Sequence, residues 1–115
     1  MPFDPMGDPL DPKTFHILLS LAAQQRHGYA IRQEVEQRTR GAVRLWPATL
    51  YGILAELAER GLIEETGGSG GVDDDARRRY YLLTPAGRAA LAGETARLDH
   101  LVRLARSRLA LEEGT

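Results

Sequence analysis

A chain of 115 residues, 43% hydrophobic and 27% charged, with a formal net charge of −1, describes one soluble globular domain with a single modest core. The absence of cysteine excludes a disulfide framework and a thiolate metal site and fits a reducing cytoplasm; no apolar run is long enough to span a bilayer, and the start lacks a basic-then-apolar secretory signal. A net charge this close to zero also excludes a surface that is basic all over, so any DNA-binding face has to come from uneven placement of charge.

Residues 1–10 hold Pro2, Pro5 and Pro9 with Asp4 and Asp8 and show no periodicity, which reads as a flexible acidic tail. Asp11 followed by Pro12 supplies a cap acceptor and then a proline at the first helical position. The helix so started is expected to run to about Gln25, and its FHILLSLAA stretch is apolar almost all round. Such a helix is buried on more than one side, and in a domain this small a partner subunit or a ligand cavity is the expected second cover. His27-Gly28 interrupts the pattern, and a second helix follows from about Tyr29 to Thr39, with Ile31 and Val35 inward and Gly41 ending it. Around it lie Arg26, Arg32, Arg38, Arg40 and Arg44, opposed only by Glu34 and Glu36. Val43-Arg44-Leu45 alternates as a short strand does.

The central stretch runs from Trp46 through Pro47 to Ile63. Leu50, Ile53, Leu54 and Leu57 recur at the three-and-four spacing of one helical face. Pro47 opens this helix, which runs to about Arg60, and Gly61 stops it. Successive residues turn by 100°, which places Ala48, Gly52 and Ala55 opposite Leu50, with Thr49 and Tyr51 on the shoulders. A glycine inside a helix costs about 1 kcal/mol relative to alanine, and a face of small residues allows a backbone to come close to another surface such as the major groove.

Leu62 to Thr66 reads as a strand, and Tyr80 to Thr84, rich in β-formers, as its returning partner. Between them lie Gly67-Gly68-Ser69-Gly70-Gly71, Asp73-Asp74-Asp75 and Arg77-Arg78-Arg79, a flexible and charged hairpin tip. Thr84-Pro85 repeats the cap-then-proline start, and a last helix is expected from Pro85 to about Leu111. Leu91, Thr95, Leu98, Val102, Ala105 and Leu109 alternate at spacings of four and three, an a/d seam for which dimerisation is the expected cover.

Three helices, a two-stranded hairpin and a long helix make a mainly helical α+β fold, a winged helix-turn-helix with a C-terminal dimerisation helix. The expected divisions are a tail at 1–10, the DNA-binding domain at 11–84 and the dimerisation helix with a short tail at 85–115. In this arrangement the central helix enters the groove through Thr49, Tyr51 and Gly52, while the wing arginines, Arg77 and Arg78 among them, neutralise phosphates. Because the central helix has no arginine, asparagine or glutamine before Arg60, part of the readout is expected to come from DNA shape. Catalysis is not expected: His16, His27 and His100 are scattered, no metal-ligand spacing or cofactor site is present, and GGSGG precedes charges and a strand rather than a helix.

The segments HGYAI from His27, LWPATLYGIL from Leu45, LAERGLI from Leu57 and RRYYLLTPAG from Arg78 resemble, in this order, the PadR family of bacterial transcriptional regulators. The likeness covers nearly all of the chain after Asp11. It implies a winged-helix dimer, most often a repressor, that releases DNA on binding a small hydrophobic effector, and whose single C-terminal helix exchanges across the dimer. It further implies that Thr49 and Tyr51 lie on the DNA-facing helix and that Tyr29 lies near the DNA backbone; a positive face shared by Arg44, Tyr51 and the wing is what separates DNA binding from a protein-binding module. Two positions depart from the family pattern: Gly52 where a proline usually follows the tyrosine, and Trp46 where a small polar residue usually precedes Pro47. An effector pocket is expected between Phe15, Leu18 and Leu19 of the first helix and the seam around Leu98 and Val102. A charged wing followed by LTPAG also resembles MarR-like regulators, whose extra helices this length does not accommodate. A winged-helix module that binds protein rather than DNA is the alternative of another class. Dimer symmetry implies a palindromic operator, with half-sites about 34 Å apart or a multiple of that.

Overall fold

Residues 9–67 and 79–113 are described by the structure, a computed structural model. Their elements run α1 (Pro12–Ala23), β1 (Arg26–His27), α2 (Gly28–Thr39), α3 (Pro47–Glu59), β2 (Ile63–Thr66), β3 (Tyr80–Leu83) and α4 (Pro85–Glu113). The glycine-rich tip, Asp73 to Asp75, Arg77 and Arg78 lie outside the described residues, as does the tail before Pro9.

Caps set the helix limits. The Asp11 carboxylate accepts the Thr14 N–H at 2.9 Å and the Thr14 hydroxyl at 3.1 Å, satisfying one of the orphan donors at the start of α1. The helix stops at Ala23, short of the expected Gln25, because Gln24 turns extended at φ −170°. The extended chain then forms β1, which sequence alone shows only as a break. Arg26 pairs with Tyr81 and His27 with Tyr80, so the sheet has three strands in the order β1-β3-β2. His27 then serves a second purpose: its Nδ1 accepts the Ala30 N–H at 3.2 Å and caps α2.

The left-handed turn that ends α2 begins at Arg40 (φ 52°), one residue before the expected Gly41 (φ 81°). The Gly41 N–H closes it on the Glu36 carbonyl at 2.9 Å. The strand expected over Val43 to Leu45 is not formed. The Thr39 hydroxyl donates to the Val35 carbonyl at 2.8 Å and accepts the Val43 N–H at 3.0 Å, so this amide has its partner in the preceding helix and needs no strand. Leu45 enters the core as part of the turn, with no exposed surface.

The core joins Ile17, Leu18 and Leu21 of α1 to Ile31 and Val35 of α2 and to Leu50, Leu54 and Leu57 of α3, with Ile63, Tyr81 and Leu91 closing it. The second side of α1 packs on α4 and β3 of the same chain, so much of the cover expected from a partner or a cavity is supplied internally. Leu18, expected to line the effector pocket, and Leu91, expected in the α4 seam, are packed in the core of the single chain, 0% and 8% exposed.

The start of α4 is stitched to the end of α3. The Thr84 hydroxyl accepts the Gly87 N–H at 3.0 Å and donates to the Gly61 carbonyl at 2.6 Å, and the Thr84 N–H reaches the Leu62 carbonyl at 3.2 Å. A side chain at position 87 has no room, since a Cβ there would stand 1.9 Å from the Leu62 carbonyl oxygen. Further along, buried Glu94 accepts the Leu10 N–H at 3.3 Å and the Arg97 Nε–H at 3.0 Å. Leu10 is therefore anchored on the core rather than part of a free tail. The bond to Arg97 outweighs burial and holds the Glu94 carboxyl below its ordinary range. From Asp99 to Leu111 every residue of α4 is exposed.

Candidate nucleic-acid interface

The outer face of α3 is bare. Ala48, Gly52 and Ala55 are all exposed, and a Cβ placed on Gly52 would meet no atom within 4 Å. Tyr51 stands at the shoulder, 46% exposed, with its phenol laid across the first residue of α2. A Cβ on Gly28 would lie 2.7 Å from the Tyr51 hydroxyl oxygen, so the missing side chain at Gly28 is what lets the two helices bring Tyr51 against the start of α2. Next to that contact Tyr29 is 58% exposed. Its hydroxyl accepts from Gln33 Nε2 at 3.2 Å, and its ring stacks on His27 with centroids 6.4 Å apart. Tyr29, Tyr51 and Gly52 are thus brought onto one surface, with half-buried His27 beside them and Gly28 buried beneath Tyr51.

Arg44 and Thr49, at the start of α3, face a different cleft. Exposed Arg44 and half-buried Thr49 line a cleft of about 650 Å³ together with Lys13 at the start of α1. Between α3 and the hairpin a second groove, about 570 Å³, is floored by Leu54, Ala58 and Tyr81 and flanked by Tyr51. Arg79, the described member of the wing arginines, is held at its rim by Glu65 at 2.6 Å. Burial, with the Glu65 carboxylate nearby, pushes the Tyr81 phenol up and keeps it neutral.

The arginines around α2 divide by partner. Arg26 and Arg38 both bind Glu34, at 2.6 and 2.9 Å, and Arg38 also donates to the His16 carbonyl and the Ser20 hydroxyl, each at 3.0 Å. These two fasten α2 to α1 and β1. Burial alone would raise the Glu34 pKa, but the bonds from Ser20 and Arg38 and the charge of Arg26 bring it below its ordinary value. Burial, then the Arg38 charge, lowers the pKa of His16, whose Nδ1 accepts from Arg38 Nε at 3.2 Å. Arg40 and Arg44 have no ion pair among the described residues. Sequence reasoning misses a further pair: the Arg32 guanidinium carbon lies 5.9 Å from the centroid of the Trp46 ring.

Of the residues assigned to a dimer or effector surface, Phe15 and Leu19 are half-buried against the core, and Leu98 is half-buried on α4. Val102 and Leu109 are 46% and 57% exposed. Among the described residues no cluster of three or more His, Asp or Glu side chains is placed to hold a metal ion, and no helix is long and apolar enough to cross a membrane.

Known folds carry the same architecture. A transcriptional regulator from Clostridium thermocellum superposes with a TM-score of 0.69 at 23% identity, covering 83% of this chain and 87% of that one. A PadR family transcription regulator from Clostridium difficile gives 0.65 at 24% identity over 84% and 97%. Bacillus subtilis PadR in complex with operator DNA gives 0.63 at 22% identity over 74% of this chain and 46% of that one. Comparison with curated protein sequences gave no significant match. The sequence profile of the PadR-like family of transcriptional regulators matches residues 17–93, which decides between the PadR-like and MarR-like resemblances. The chain belongs to the PadR-like family of transcriptional regulators.

Proposed function

We propose that this regulator binds a palindromic operator as a homodimer and represses, with release by a small hydrophobic effector. The observation that carries the reading is the bare face of α3: exposed Ala48, Gly52 and Ala55, with Tyr51 at one shoulder and Thr49 at the other. A helix with nothing projecting from one side suits close contact with base edges and sugars. Tyr29, Arg44 and the wing residues Arg77 and Arg78 would flank it on phosphates. That Bacillus subtilis PadR is a fold relative seen on operator DNA supports the same use of this surface. Dimerisation is supported by the far half of α4, where Leu101, Val102, Leu104, Leu109 and Leu111 stand exposed along one helix, a large apolar load for a monomer surface. An effector pocket, if α4 pairs across the dimer, draws its walls from Phe15, Leu19, Leu98 and Val102.

Selection of bound duplexes from a random DNA pool, with the winner titrated at several salt concentrations, tests this. A palindrome bound with a steep salt slope, by a particle that sedimentation shows to be a dimer, is the expected result. Failure to enrich any sequence refutes operator binding.

A further inference from the structure

We propose that Arg32 and Trp46 form a phosphate clamp on the DNA backbone beside α3, the indole acting as a positioning residue for the guanidinium. The inference rests on the reading of the chain as a DNA-binding regulator. Two groups of large hydrophobic residues are exposed among the described residues. One is the aliphatic set on α4; the other is wholly aromatic, Tyr29, Trp46 and Tyr51, and lies entirely on α2, α3 and the cap between them. Trp46 is 57% exposed and makes no side-chain hydrogen bond as the cap of α3, so neither the core nor the helix start accounts for a tryptophan there. What its ring does touch is Arg32, at 5.9 Å, within the reach of a cation–π contact of about 6 Å.

Arg32 and Glu36 lie half-buried on the flank of α2, between buried Val35 and the exposed Tyr29 and Gln33. Its Nε lies 3.4 Å from a Glu36 carboxylate oxygen, a long contact that occupies one donor. Its two terminal amino groups have no partner among the described residues. The guanidinium carbon thus lies over the indole and its inner nitrogen beside Glu36, while no hydrogen bond among the described residues engages its two terminal amino groups. That pair of groups has the geometry a phosphate takes in two parallel hydrogen bonds. A phosphate there leaves both the Glu36 contact at Nε and the indole in place. Arg26 and Arg38 cannot serve the same purpose, because Glu34 and α1 already hold them.

The chain has one tryptophan, so its emission reports on this clamp alone. The full-length protein is titrated with the duplex enriched by selection. The emission of Trp46 is expected to change on binding. Arg32→Ala is expected to weaken binding about tenfold, the loss of a charged hydrogen-bonded contact, and to reduce the salt slope by about one. Trp46→Ala is expected to weaken binding by a similar factor, Trp46→Phe to restore most of it, and the double variant to bind no worse than Arg32→Ala. Trp46 is exposed and Arg32 half-buried at the edge of α2, neither in the core, so melting temperatures should stay within a few degrees of the wild-type value. Wild-type binding with unchanged emission, or with an undiminished salt slope in Arg32→Ala, overturns the clamp alone. If the wild-type protein binds no duplex at all, the operator reading fails and takes the clamp with it.

Discussion

Replacing Gly52 by alanine should make the protein more stable and a poorer DNA binder. Gly52 sits inside α3, in helical conformation, with nothing within 4 Å of the place a Cβ would occupy. The substitution therefore clashes with no part of the chain and only removes the backbone entropy cost of a helical glycine, about 1 kcal/mol. For a domain of this size that is a rise in melting temperature of about 4 °C. In the proposed complex the same methyl would stand where α3 comes nearest to the groove. Overpacking a close contact costs about 1–3 kcal/mol, an affinity loss of roughly tenfold to a hundredfold. Calorimetric melting at fixed protein concentration measures the first effect, and fluorescence anisotropy with a labelled duplex at fixed salt measures the second. Gly93→Ala is the control: it too meets nothing within 4 Å, lies on α4, and should raise stability while leaving DNA affinity alone. A Gly52→Ala protein that melts higher and binds undiminished would show that α3 does not approach DNA by its small face, and the argument built on Ala48, Gly52 and Ala55 would fall.

Three other perturbations follow from close contacts and shifted titrations. Gly87→Ala should cost about 3 kcal/mol or more in urea unfolding, because its Cβ would stand 1.9 Å from the backbone oxygen of Leu62, which gives way less easily than a side chain; a loss under about 0.5 kcal/mol, the range of a neutral surface change, contradicts the packing. Gly28→Ala should leave the melting temperature nearly unchanged but weaken DNA binding, since the new Cβ meets the movable end of Tyr51 at 2.7 Å and displaces it; unchanged binding removes Tyr51 from the interface. His16 has a folded pKa below its ordinary 6.5, so the unfolded chain takes up the proton first. Its contribution to stability is full above pH 6.5 and is lost as pH falls through the lowered folded value. His16→Gln should flatten stability against pH in that window, and an unaltered slope assigns the dependence elsewhere.

The helix starts are legible in the sequence because their causes are local. Asp11-Pro12 and Thr84-Pro85 each bring acceptor and proline within adjacent residues, and the structure begins α1 and α4 there. What escapes is non-local or degenerate. β1 is two residues long and exists because β3, more than fifty positions later, lies beside it. Alternation over Val43 to Leu45 is equally compatible with a strand and with a turn, and the Thr39 hydroxyl selects the turn. The double-sided burial of α1 is evident from FHILLSLAA, but the covering elements, α4 and β3, are set by tertiary packing. For the interface, the small-residue face and Tyr51 follow from helical geometry. Charge counting marks the arginines around α2 but not which are engaged: Arg26 and Arg38 converge on one carboxylate from different elements. The contact of Arg32 with Trp46 joins a helix to the cap of the next one, at a spacing no helical period reports.

The joint at Thr84 makes α4 a lever. Gly61, Leu62, Thr84 and Gly87 are bonded and packed so closely that the last turn of α3 and the first of α4 move as one body. With 29 residues, α4 is about 43 Å long at 1.5 Å per residue, and shifting its far end by about 4 Å tilts it by roughly 5°. The same rotation is delivered to α3, whose face has to match the pitch of a groove. In the proposed dimer, a change of packing where the arms pair, far from DNA, would therefore reach the two reading helices as a rotation of a few degrees.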